Sequence, residues 1–247
     1  LFLVCRALSE DAKFVLFSCN RFVVSDSLLS HPCTTFSVDG HYREEYREAQ
    51  PPRTYPAERF AASQFIREVI PADCLPYLRF LQLISPPYNH NCWPSDGHPA
   101  LQDWAETIDW VKEKIRTPAM TLRLTMAGSL SHKPPQPDDR GEVSRGEGDK
   151  VLAGYDRILK PLACLGGEEG LASFHADFAW PWKWTSWARE KYRAMDRDTA
   201  REWTKAKENV LNQRADRFIL GDRYEQLSAR QGRLEEMPWK EQYYVSD

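Results

Sequence analysis

No two cysteines of this chain stand at C-x-x-C spacing, and none of its asparagines opens an N-x-S/T triplet. No apolar run comes near the ~18 residues that a membrane helix needs; the longest, such as Phe14–Phe17, are short. These absences argue against a disulfide framework, a glycosylated surface and a membrane partner. The six cysteines, Cys5, Cys19, Cys33, Cys74, Cys92 and Cys164, are scattered along a chain long enough to build a core without bridges. They read as free, buried thiols in a reducing compartment, cytoplasmic or nuclear. The opening Leu1-Phe2-Leu3-Val4 is too short for the core of a secretory signal. It also lacks an initiator Met, which reads as the inside of a longer gene product.

Charge of one sign is missing too. The net charge is −3, and residues 186–247 hold 13 basic and 12 acidic side chains against 20 and 24 in residues 1–185. A nucleic-acid binder concentrates its basic residues on one face, so nucleic acid is not the expected partner. What the chain has in quantity is flat aromatic surface: nine Trp, ten Tyr and eleven Phe in 247 residues.

The hydrophobic pattern alternates between helical and strand periods. Val4, Leu8, Ala12, Val15 and Leu16 recur at helical spacing, and Arg21–Val24 reads as a short strand. Residues 26–56 form an irregular excursion, and 57–66 a second helix. Leu78, Leu81 and Leu83 then give L-x-x-L-x-L, the core of a leucine-rich-repeat strand turn, with 81 and 83 on one face. Leu101, Trp104, Ala105, Ile108, Val111 and Ile115 mark a helix over 99–116, and Ala119–Met126 alternates as a strand. Residues 129–149, with three prolines and three glycines, read as a flexible loop. A helix over 150–165 follows, which Pro161 kinks or ends, then a strand over 171–180. Residues 186–233 read as a C-terminal helical segment, either two helices or one bent near Arg197-Asp198, with a capping box at Thr199–Glu202. Four helix–strand units followed by helices predict one α/β domain over 1–247. Its units are irregular and leucine-rich-repeat-like, its sheet mainly parallel, and its C-terminal helices follow.

Chemistry-bearing residues are few. Trp180, Trp182, Trp184 and Trp187 form the densest feature, read either as an aromatic platform for a peptide or sugar ring, or as a plug where the C-terminal helices dock. His175 and Asp177 share one face of the fourth strand, as a base and its orienting carboxylate do, but no nucleophile is evident. His90, Cys92 and His98 offer three metal ligands without a fourth, so no metal is expected. Asp103, Glu106 and Asp109 look outward from their helix. Gly166-Gly167-Glu168-Glu169-Gly170 follows a helix and reads as a cap and turn, not a phosphate loop. No cofactor is called for.

Val4–Ala12 with Leu16–Phe22, Ala62–Ile70 with Leu75–Leu81, and Trp104–Lys112 leading into Leu122-Arg123-Leu124 resemble the region that follows the F-box in fungal F-box-type proteins. The resemblance covers residues 1–126. It implies a leucine-rich-repeat-like body without enzymatic activity that recruits a protein partner, as an adaptor for ubiquitylation. No F-box is visible; it lies before Leu1 or is absent, and a Skp-type linker is a partner only where it precedes. The alternative expectation is an enzyme or small-ligand binder with a pocket near Trp180–Trp187, using His175 and Asp177.

Overall fold

In the computed structural model, residues 6–25, 59–85, 94–126, 145–182 and 186–231 are described. The first unit is α1 (Arg6–Cys19) and β1 (Arg21–Ser25). The second is α2 (Ala61–Gln64), continued by a π-turn over Phe65–Val69, and β2 (Phe80–Ser85). Then come α3 (Pro99–Lys112) with β3 (Thr121–Met126), and α4 (Arg145–Leu159) with β4 (Ser173–Phe178). Helices α5 (Ser186–Arg193), α6 (Arg197–Leu220) and α7 (Tyr224–Gln231) close the described chain.

The four strands lie in sequential order, β1-β2-β3-β4, and every pair is parallel. The alternating helices and strands predict this, because each parallel neighbour needs a crossover, and crossovers of one hand place their helices on one face. The register sets Phe22, Leu81, Leu122 and Phe174 in one row and Val24, Leu83, Leu124 and Ala176 in the next. All of these belong to, or pack on, one continuous apolar core running from Phe17 to Tyr224. Residues one step along each strand point to the other face. Each fully buried leucine of these rows stabilises the body by roughly 1.5–3 kcal/mol relative to exposure.

The facing expected of Leu78, Leu81 and Leu83 holds. Leu81 and Leu83 are buried together on the core face, while Leu78, buried as well, caps the one-turn 3-10 helix Leu75–Tyr77 that leads into β2. Trp104 Nε1 donates to the Ile158 carbonyl at 2.9 Å and ties α3 to α4. At Pro161 the α-helix gives way to a 3-10 segment, Lys160–Leu165, because a proline in the first turn lacks the donor the helix needs. Gly166 closes that segment where the chain passes α6: a Cβ there would lie 2.0 Å from the Ile219 carbonyl oxygen.

Several expectations are corrected. The α-helical part of the second unit covers only four residues, and the π-turn extends it to Val69, where Ile70 N donates to Phe65 O at 3.0 Å. Arg145–Asp149, assigned from composition to the flexible loop, form the first turn and a half of α4; residues 127–144 lie outside the described residues. The cap of α6 is Asp196, not Thr199: its carboxylate accepts from the backbone of Asp198 and Thr199, both at 3.0 Å, and from the Thr199 hydroxyl. Of the two alternatives for the C-terminal segment, separate helices are found, with the break between α5 and α6 just before Arg197. On α1, Phe17 faces the core and the apolar stripe does not. Of the described cysteines, all free, Cys74 is buried, Cys164 half-buried and Cys19 exposed. Among the described residues no helix is long and apolar enough to cross a membrane.

Candidate functional site

The sheet face turned away from the core is polar. Its middle row is Val23, Gln82, Arg123 and His175, flanked by Arg21, Phe80, Thr121 and Ser173 on one side and by Ile84, Thr125 and Asp177 on the other. The side chains bond along diagonals, one strand over and two residues on. Arg21 Nη2 donates to Gln82 Oε1 at 2.7 Å, and Gln82 Nε2 to Thr125 Oγ1 at 3.4 Å. Arg123 Nη2 donates to Asp177 Oδ2 at 3.0 Å. Diagonal neighbours on a sheet lie about 7–8 Å apart, within reach of long side chains only. Arginine and glutamine supply that reach. Arg123 keeps its Nε buried without a hydrogen-bond partner, so its guanidinium has directed donor capacity beyond Asp177.

His175 and Asp177 do not pair as base and carboxylate. His175 Nε2 lies 2.8 Å from Ser173 Oγ, two residues back on the same strand, while Asp177 is engaged by Arg123. Sequence reasoning missed Ser173 because a serine at the first position of a strand is ordinary, and only the pleat brings i and i+2 side by side. A serine within reach of an imidazole meets the first requirement of a nucleophile–base pair; the orienting carboxylate is committed elsewhere. Two small cavities, about 10 and 20 Å3, are lined by core residues such as Leu81, Trp104, Leu124 and Ile158. Neither touches Ser173, His175 or Asp177, and each has room for one water at most.

The tryptophan run leaves β4 through a turn at Pro181-Trp182, so Trp180 and Trp182 do not share a strand face. Their rings are brought together at 6.3 Å, and Trp180 also meets Trp203 of α6 edge-on at 5.1 Å. Tyr192 of α5 stands edge-on to Trp203 at 5.5 Å, and the Lys207 ammonium lies 6.0 Å from the same ring. Trp180 is 7% exposed, and Trp182 is half-buried over Gly148, where a Cβ would come within 2.4 Å of the indole. The aromatic box therefore locks the end of β4, α4, α5 and α6 together, with Trp182, Tyr192 and Trp203 each half-buried. Trp184 lies outside the described residues; Trp187 falls in α5, with its side chain outside the description.

Beside the box, α6 closes the outer edge of β4 in a way sequence reasoning did not find. The backbone N–H groups of Ala176, Phe178 and Trp180 donate to Asp216 Oδ1 at 2.7 Å, Asn212 Oδ1 at 2.8 Å and Glu208 Oε1 at 3.2 Å. Two residues of strand advance about 6.6 Å and four residues of helix about 6.0 Å, so three rungs stay in phase. Burial pushes the Asp216 carboxyl up to about 7, against the lowering effect of the Ala176 N–H. Tyr155, buried beneath, donates its hydroxyl to the Ala179 carbonyl at 3.2 Å, and burial holds its phenol above the usual range.

The other sequence candidates have structural roles or fall outside the description. His98 caps α3, its Nδ1 accepting from Ala100 N at 3.2 Å, and burial holds its pKa down. His90 and Cys92 lie outside the described residues. Asp103 is not turned to water: Arg59 Nε donates to it at 3.0 Å and bridges on to Glu68. Glu106 accepts from Gln102 at 3.2 Å. Among the described residues no group of three His, Cys, Asp or Glu is placed to hold a metal ion. No known family profile, curated protein or solved structure matches this chain.

Proposed function

We propose that this chain is a protein-interaction body without chemistry of its own, which recruits a protein partner through the polar face of its sheet. One observation carries the reading: a parallel sheet with one face in the core and the other bearing a diagonal lattice in which Gln82 is buried while Arg21, Thr125, Arg123 and Asp177 keep part of their surface exposed. Parallel sheets in doubly wound enzymes are covered on both faces and read as continuous apolar strands. In stacked-repeat proteins the sheet face instead offers side chains to a partner. The half-buried Trp182 adds an aromatic anchor of the kind that dominates interface energies. The resemblance of residues 1–126 to F-box-type proteins supports a role as the substrate-recruiting part of a ubiquitin-ligase adaptor. Affinity capture with the full gene product tests that role. Recovery of a Skp-type linker and a cullin is expected, and capture of partners without either would reduce the proposal to an interaction body outside ubiquitylation.

The Ser173–His175 contact favours a second reading, a hydrolase with Ser173 as nucleophile. A fluorophosphonate probe labels an activated serine, so labelling that is lost in Ser173→Ala would replace the first reading. The adaptor reading expects no labelling.

A further inference from the structure

Two arginines meet at the N-terminal end of β2 and β3. Arg79 stands immediately before β2, and its carbonyl accepts from the N–H of Thr121, the first residue of β3, at 2.7 Å. Arg116 stands before the 3-10 turn Thr117–Ala119 that feeds the same strand. Leu78, Ile115 and Met120 line one small void of the core, so the residues that follow the first two, Arg79 and Arg116, come out side by side. Arg79 Nη1 donates to the carbonyls of Pro76 at 2.7 Å and Leu78 at 3.1 Å. Those bonds hold the guanidinium in place but do not neutralise it, and its Nε and Nη2 have no acceptor among the described residues. Asp73, the carboxylate nearest to Arg79 in sequence, is engaged by Lys13 at 2.6 Å. Partial burial and the charge of Arg116 hold the Arg79 pKa below its usual range, and no carboxylate acts against them. An arginine does not give up its proton in a protein, so the lowering marks a repulsive field. Arg116 itself is exposed and makes no ion pair among the described residues.

We propose that Arg79 and Arg116 together bind a phosphate dianion, either free or carried on a larger molecule. Two guanidiniums supply two positive charges and planar sets of donors, which match the oxygens of a phosphate. A dianion seated between them turns their mutual repulsion into two attractions. A single carboxylate carries half that charge and is disfavoured. Because Arg116 stands in water, the attraction is screened, and the expected Kd is about 1 mM.

The test is a titration of the full chain with inorganic phosphate, phenyl phosphate and acetate at constant ionic strength. It is run at about pH 7.5, where a phosphate monoester is a dianion, and read by the Arg79 Nε–Hε resonance. Both phosphates should give a saturable shift, and acetate should bind at least about tenfold more weakly. Tighter binding of phenyl phosphate than of inorganic phosphate assigns the site to a phosphate on a larger molecule, and the reverse order assigns it to the free anion. Arg116→Gln alters an exposed side chain and should weaken phosphate at least about tenfold. Without phosphate it should melt no lower than the parent, because the repulsion is gone. Phosphate at about ten times the Kd should lower the parent's unfolding constant about elevenfold, against about twofold for Arg116→Gln. A shift that stays linear to about 50 mM overturns the proposal. So does a Kd that Arg116→Gln leaves unchanged, or acetate binding as tightly as phosphate.

Discussion

Asp216 is a carboxyl held where its ionised form is poorly solvated, and its single bond to the Ala176 N–H does not compensate. Its folded pKa of about 7 lies above the unfolded value of about 3.9. The folded chain therefore binds more protons than the unfolded one between those values, and the contribution of this group to stability falls as pH rises from about 4 to about 7. Asp216→Asn keeps an oxygen for the Ala176 N–H and removes the ionisation. Its melting temperature should exceed the parent's at pH 8, with the difference shrinking toward pH 5; a constant difference over that range would contradict the assignment. Gly166→Ala acts through sterics alone. The new Cβ would overlap the Ile219 carbonyl, a backbone atom that cannot swing away, so a loss of about 1–3 kcal/mol in chemical denaturation is expected. The need for glycine here was only half legible: the sequence pattern predicts a turn at Gly166–Gly170, but the approach of α6 is a tertiary fact.

At the scale of elements, the strands were the most legible features. β1, β3 and β4 begin at Arg21, Thr121 and Ser173, within two residues of the expected starts, because alternate side chains of each turn to the core face. Leu124→Ala removes a fully buried side chain from that face and should cost about 2–5 kcal/mol. Leu124→Asp should unfold the body, since it would bury an unpaired charge; a variant melting like the parent would contradict the strand's facing. Helix α6 was less legible. Its apolar residues predict a buried stripe, yet Val210 and Phe218 are exposed, and the contact that fixes the helix is the polar series Glu208, Asn212 and Asp216. Spacing of four residues is common on any solvated helix, so only the strand beside it gives that series meaning. Asn212→Ala would leave the Phe178 N–H without its acceptor, at a cost of about 1–3 kcal/mol. Faster amide exchange at Phe178 than at Ala176 is the expected signature.

At the scale of the molecule, the α/β class and the parallel sheet followed from the order of helical and strand periods. The candidate site did not. The lattice on the polar face joins residues 43 to 61 positions apart in sequence, which no spacing rule pairs. The tryptophan run stood out by composition, yet composition could not separate a platform from a plug; the packing of Trp180 against Trp203 shows how much of it serves cohesion. In the Arg123–Asp177 pair the carboxylate is half exposed and the guanidinium 27% exposed, so the pair contributes about 1 kcal/mol or less to stability and can be neutralised without loss of the fold. That makes it the handle for the central claim. Quantitative affinity capture should compare the full chain with its Arg123→Gln, Asp177→Asn double variant, both confirmed folded by their melts. Partner proteins held by the parent and lost from the double variant are the expected result; identical sets of captured proteins would contradict recruitment through the sheet face.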